Sequence, residues 1–172
     1  PVHGWLAIDK DIGITSTQAV GRARRLLDAQ KAGHAGTLDP LATGVLPIAL
    51  GEATKTVPYV MGGAKTYRFT VRFGEARDTD DLEGRILETN DVRPDDGAIR
   101  SALNRFTGVI SQVPPLYSAV KIRGERSYKR ARSGQGELPP ARNVEIDRFE
   151  LIDRPDSDHA VFEVDCGKGT YI

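Results

Sequence analysis

"TYRFTVRF", residues 66–73, alternates without a break. Tyr67, Phe69, Val71 and Phe73 share one face, and Thr66, Arg68, Thr70 and Arg72 share the other. A period of two with one apolar face predicts a half-buried antiparallel strand. Ala160, Phe162, Val164 and Cys166 repeat the pattern near the end of the chain. Between them "NVEIDRFELI" (143–152) changes its alternation near Asp147, which predicts a β-bulge. Upstream, "GWLAID" (4–9) reads as a short buried strand. "VLPIAL" (45–50) reads as another, with Pro47 implying a sheet edge or an irregularity. "RILE" (85–88), after the polar turn "DTDDLEG" (78–84), reads as a returning partner strand.

Helices are fewer. Thr15-x-x-Gln18 has the form of a capping box, and Ala19, Val20, Ala23, Leu26 and Leu27 follow at helical spacing. Thr54 is placed to cap a short helix with Pro58 near its first turn. Ile99, Leu103 and Phe106 define a second amphipathic helix, closed by Gly108. "ERSYKRARSG" (125–134) reads as a short basic helix stopped by Gly134. Strands in the majority, with helices between them, predict an α+β fold with a mixed, mainly antiparallel sheet and flanking helices.

Composition narrows the function. Hydrophobic residues make up 39% of the 172 and charged residues 28%, which excludes wholesale disorder. No apolar run approaches the roughly 18 residues of a membrane span, so no membrane partner is expected. The single cysteine, Cys166, cannot form an internal disulfide and fits a reducing, cytoplasmic setting; its alternating run marks it as buried packing. Formal net charge is zero, but residues 121–132 hold six basic groups and one acid, while residues 75–96 hold nine acids and three arginines. The basic run reads either as a solvated face or as a patch for nucleic-acid phosphates.

Several chemistries lack their motifs. His3, His34 and His159 are scattered and no cysteine pair stands at zinc spacing, so no metal is expected. The turn opens Asp78-x-Asp80 like a calcium loop, then places Leu82 where a ligand is needed and Glu83 where the glycine belongs. No phosphate-binding glycine motif and no G-x-S-x-G elbow occurs, so no cofactor is expected. What remains is Lys31–Gly51, in which four glycines and two prolines surround a lone acid, Asp39. Asp39 reads either as a turn or cap aspartate or as a carboxylate nucleophile on a stiff loop. With an ordinary pKa of about 3.9 it is ionised at neutral pH without help.

"GHAGTLDPLATGVLPIALGEATK" (33–55) resembles the signature of TruB-type tRNA pseudouridine synthases. So do "DKDIGITS", "KTYRFTVRFG", "DTDDLEG", "PPLYSAVKIRGERSYKRARSG" and "CGKGTYI", in family order over essentially the whole chain. Asp11 departs from the pattern, which usually has proline there, and so do the early residues of "STQAVGRARRLL".

The resemblance implies the pseudouridine synthase catalytic fold and a cofactor-free isomerisation of uridine at position 55 of the tRNA T-stem-loop. It implies Asp39 as nucleophile, attacking either ribose C1′ or base C6, and His34 in the space left by the flipped nucleotide. Tyr67 would stack on the uracil and Tyr171 would contact it. Each has a bland alternative: loop hydrogen bonding for His34, core packing for Tyr67 and strand packing for Tyr171. The basic run, through Lys121, Arg123, Arg126, Lys129 and Arg130, would hold RNA phosphates. The family places an arginine directly after "GTYI", pairing with the catalytic carboxylate. The 172 residues are therefore expected to be one catalytic domain, a monomer, truncated at its C-terminal end, without the family's PUA-like RNA-binding domain and weak or inactive alone.

Overall fold

The computed structural model describes residues 1–172 except Ala119, Arg123, Gly134 and the side chains of Lys121, Arg126, Tyr128, Lys129 and Arg132. The chain divides into two compact units, Pro1–Gly63 and Ala64–Ile172. All strand pairings among the described residues are antiparallel, and helices accompany the sheets, as α+β requires.

The first unit holds strands β1 (Gly4–Lys10), β2 (Ala32–His34) and β3 (Gly44–Leu50), with helices α1 (Ser16–Leu26) and α2 (Val57–Met61). Thr15 caps α1 through the expected box: its hydroxyl accepts from the Gln18 N–H at 3.1 Å, and Gln18 Oε1 accepts from the Thr15 N–H at 2.7 Å. Ala19 and Ala23 then pack on Leu46, Ile48 and Leu50. Leu26 keeps the helical spacing but is 85% exposed. It borders a groove of about 170 Å³ with Ile8, Asp9 and Arg22, beside the sheet's edge strand β1. Being an edge strand, β1 is only half-buried: Leu6 and Ile8 pack on the core while Trp5, Ala7 and Asp9 are exposed.

Pro47 lies in the central strand, because the sheet order is β1-β3-β2. The placement works because β2 is short. Its ladder with β3 ends at His34–Ile48, and the Pro47 carbonyl accepts from the Ala35 N–H at 2.9 Å. The N–H that proline lacks would point to that same flank, beyond the last rung. Thr54 sits inside a 3-10 turn, Gly51–Thr56, and donates to the Gly51 carbonyl; Pro58 opens α2 as expected.

The second unit is built on a four-stranded sheet, β4 (Lys65–Arg72), β7 (Gly108–Gln112), β10 (Arg142–Asp153) and β11 (His159–Cys166), in the order β4-β11-β10-β7. The hairpin of β5 (Glu75–Arg77) and β6 (Ile86–Thr89), helix α3 (Asp96–Leu103), the small hairpin β8 (Lys121–Ile122) and β9 (Glu125–Arg126), and helix α4 (Ser127–Arg132) complete it. The "RILE" strand therefore pairs with β5 and not with β4, whose neighbour is β11. Helix α3 stops at Leu103; Phe106 follows in a 3-10 turn, half exposed, against Phe149 at 6.3 Å.

The bulge sits at Asp147. Ile146 faces Cys166 and Arg148 faces Asp165, so one residue of β10 has no partner on β11. Val144 and Ile146 are buried before it, and Phe149 and Leu151 turn inward after it. Without that extra residue the later side chains would change faces, putting Arg148 into the core. Instead Phe69, Phe149 and Phe162 meet with ring centroids 5.6–5.9 Å apart, and α3 lays Ile99 on the same cluster.

On the opposite face Arg148 bonds Asp165, Glu163 and Glu150, each at 2.7 Å. Arg68 and Thr66 of β4 bond the same Glu163 and Asp165. The Arg148 guanidinium holds Glu163 and Asp165 below the ordinary carboxylate range, and the carboxylates push the arginine up in return.

Two outcomes test this packing. Phe162→Ala should cost about 3–5 kcal/mol in urea denaturation, as large buried aromatics do. Arg148→Met should destabilise the chain most near neutral pH. Lowered carboxylate pKa values add stability that is complete above the ordinary value of about 4 and disappears as pH falls through the folded values. The difference from the parent chain should therefore shrink as denaturation is repeated in acid.

Candidate active site

The connection between β2 and β3 has no strand to satisfy its backbone, so other groups must. Ser16, the first residue of α1 and only 2% exposed, does this at Leu38. Its hydroxyl donates to the Leu38 carbonyl at 3.0 Å and accepts from the Leu38 N–H at 2.9 Å. On the other side of Asp39, the Pro40 carbonyl accepts from the Gly13 N–H at 2.7 Å. Asp39, Pro40, Leu41 and Ala42 then form a turn closed by the Ala42 N–H on the Asp39 carbonyl at 3.0 Å, with proline at the position its fixed φ suits. Both neighbours of Asp39 are thus tied down, while Asp39 itself is exposed.

The loop that carries Gly13 is anchored in turn. Lys10 ends β1 and is 1% exposed. Its ammonium donates to the carbonyls of Asp11 and Ile14 at 3.0 and 2.8 Å. Gly13, whose N–H meets the Pro40 carbonyl, has a φ of +84°, and Gly44 leaves the Asp39 loop at +119°, both costly for a side-chain-bearing residue. His34 ends β2 opposite Ile48. Its Nδ1 is enclosed without a hydrogen-bond partner among the described residues.

The first unit thus holds His34 and Asp39 in one connection. Tyr67 and Tyr171 belong to the second. Tyr67 is half-buried on the apolar face of β4, opposite Val164, against Ile146 and Cys166. Tyr171 follows β11 and lies outside any strand, half-buried beneath the Arg142 guanidinium at 5.2 Å. Cys166 is fully buried and burial pushes its thiol up, which disfavours the thiolate a nucleophile needs.

Of the basic run, Arg123 and the side chains of Lys121, Arg126 and Lys129 lie outside the described residues. Arg130 is half-buried in α4, its Nε enclosed and without a hydrogen-bond partner among the described residues. In the acidic turn Asp78 is occupied by the Arg85 N–H and guanidinium. Ser16 and Lys10 both lie in "DKDIGITS" (9–16), but the resemblance gives neither of them a role.

Comparison with known proteins follows the same lines. A chain of the crystal structure of a Cbf5-Nop10-Gar1 complex superposes with a TM-score of 0.70 at 30% identity, over 98% of this chain and 41% of that one. A chain of an H/ACA RNP bound to a substrate RNA containing 2'-deoxyuridine shares the fold with a TM-score of 0.68 at 23% identity, over 98% of this chain and 39% of the other. This chain therefore has the fold of a chain found in each of those two complexes. Residues 24–172 match the family described as TruB family pseudouridylate synthase (N terminal domain), and the chain belongs to that family. Proteins called tRNA pseudouridine synthase B are similar to it: 61% identical in Gluconacetobacter diazotrophicus, over 100% of this chain and 56% of that protein, and 64% identical in Bradyrhizobium diazoefficiens, over 99% and 50%. The chain spans about half the length of these curated relatives. No described helix is long and apolar enough to cross a membrane.

Ser16→Ala would leave the Leu38 N–H and carbonyl without partners. It should cost about 2 kcal/mol in thermal denaturation, and hydrogen exchange at the Leu38 amide should quicken at least as much as the global destabilisation demands.

Proposed function

We propose that this chain is the catalytic part of a tRNA pseudouridine synthase that isomerises uridine in the T-stem-loop, with Asp39 as its nucleophile. The observation that carries the reading is the exposed carboxylate between two pinned residues, Leu38 and Pro40, in a chain of the TruB family. A nucleophile needs its approach angle held, and a turn with both shoulders hydrogen-bonded supplies that. The names of the similar proteins support tRNA as the substrate.

The reaction balances without a cofactor. The bond from uracil N1 to ribose C1′ breaks, the base turns, and a bond forms from C5 to C1′; the C5 proton leaves and N1 gains one. The Asp39 carboxylate adds to ribose C1′ or base C6 and is regenerated. The uridine must first leave its stack, which costs a few kcal/mol. In this reading His34 fills the vacated space, Tyr67 stacks on the uracil and Tyr171 contacts it. The place of His34 at the end of β2, where the chain enters the connection that carries Asp39, suits that role. Lys121, Arg123, Arg126, Lys129 and Arg130 hold phosphates, so affinity falls as salt rises.

The test uses a chain of the relatives' full length and a T-stem-loop labelled with tritium at uridine C5. Asp39→Asn should lower label release by more than about 10³-fold, with stem-loop affinity and thermal stability retained. Normal release would overturn the assignment of Asp39. A parent chain that binds the stem-loop and releases no label would instead mark a non-catalytic RNA-binding module.

A further inference from the structure

After β11 the chain does not simply end its strand. Within the second unit, residues 167–171 cross the ends of β10 and β7 and are tied at each. The Gly167 N–H donates to the Glu145 carbonyl at 2.8 Å, and the Thr170 hydroxyl donates back to Gly167 at 3.0 Å. Arg142 Nη2 donates to the Gly169 carbonyl at 2.6 Å. The Gln112 side-chain amide donates to the Tyr171 carbonyl at 2.8 Å and accepts from the Tyr171 N–H at 2.9 Å. Gln112 is the last residue of β7, Arg142 the first of β10, and they face each other across the ladder.

The two side chains act on different parts of Tyr171. The Gln112 amide satisfies both polar groups of the tyrosine's backbone, as the next rung of a sheet would. The Arg142 guanidinium carbon lies 5.2 Å from the ring centroid. Its Nε is enclosed without a hydrogen-bond partner among the described residues, and the ring and the Gly169 carbonyl place the group. A cation on one face of a tyrosine ring fixes the ring plane and leaves the other face and the hydroxyl open.

We infer that Gln112 and Arg142 are positioning residues for Tyr171, together setting its ring to meet a flat pyrimidine from the face that Arg142 does not cover. The inference rests on the proposed role of Tyr171 in contacting the base. Nothing in β-ladder geometry would otherwise hold a residue that has left its strand, and an unheld ring would sample rotamers that miss the substrate.

The test is steady-state pseudouridine formation on a T-stem-loop by the full-length chain. Gln112→Glu is nearly isosteric and sets an acceptor against the Tyr171 carbonyl, so that bond is lost; Arg142→Ala uncovers the ring. Each should lower kcat about tenfold or more, with KM changed by less than about twofold. Combining either with Tyr171→Ala should add no further loss, as expected of residues that act through one another. Arg142→Lys should recover part of the loss, and the fluorine resonance of 3-fluorotyrosine at position 171 should shift in Arg142→Ala before RNA is added. Unchanged kcat in both single variants, losses that multiply with Tyr171→Ala, or losses matched by unfolding at the assay temperature would overturn the inference. If Tyr171→Ala itself leaves kcat unaltered, the base-contacting role fails and the inference falls with it; if only Tyr171→Ala is impaired, the inference fails alone.

Discussion

An irregular loop folds to one shape only if its backbone polar groups find partners, and here one buried hydroxyl satisfies both groups of the residue before Asp39. Ser16 closes both bonds to Leu38 from a position almost wholly removed from solvent. Water cannot readily substitute there, so loss of either bond leaves a buried group unpaired. The rest of the Asp39 loop follows from that anchor. Pro40 restricts the next φ, Gly13 ties its carbonyl, and Lys10 holds the segment in which Gly13 lies. An exposed acid thereby sits on a loop whose backbone is held at fixed points on either side of it.

In the second unit the comparable constraint is the parity of a strand. A β-strand has two faces, and one inserted residue exchanges them. At Asp147 the exchange sends Phe149 inward to meet Phe69 and Phe162, and sends Arg148 outward to three carboxylates. One irregularity therefore supplies both the aromatic centre of the core and the ion-pair ladder on the other face. The carboxylates are held ionised by the arginine they surround, which couples the solvent face of the sheet to pH while leaving its core indifferent. The same strand begins with Arg142, so its other end meets the crossing segment that carries Tyr171.

Much of this was legible in residues 66–73, 143–152 and 160–166, because strand periodicity is local and each residue declares its face by its polarity. The capping box at Thr15 and Gln18 was legible for the same reason: both bonds lie within one turn. The resemblance to TruB-type synthases singled out Asp39, which pattern alone left between a turn residue and a nucleophile. Partner choice was not legible. "RILE" carries a strand's composition but nothing that selects β5 over β4. Pro47 signals an edge, and only the shortness of β2 explains its place in a central strand.

By itself, then, the sequence determined the strands β1, β3, β4, β10 and β11 and the capped start of α1, where β10 changes face, and which acid stands alone on a glycine- and proline-shaped loop. Those properties reside in neighbours a few bonds apart. Tertiary structure alone decided that Ser16 holds Leu38 across 22 positions and that Gln112 holds Tyr171 across 59. Such contacts join groups whose own surroundings look ordinary, and their distance exists only once the strands between them have paired.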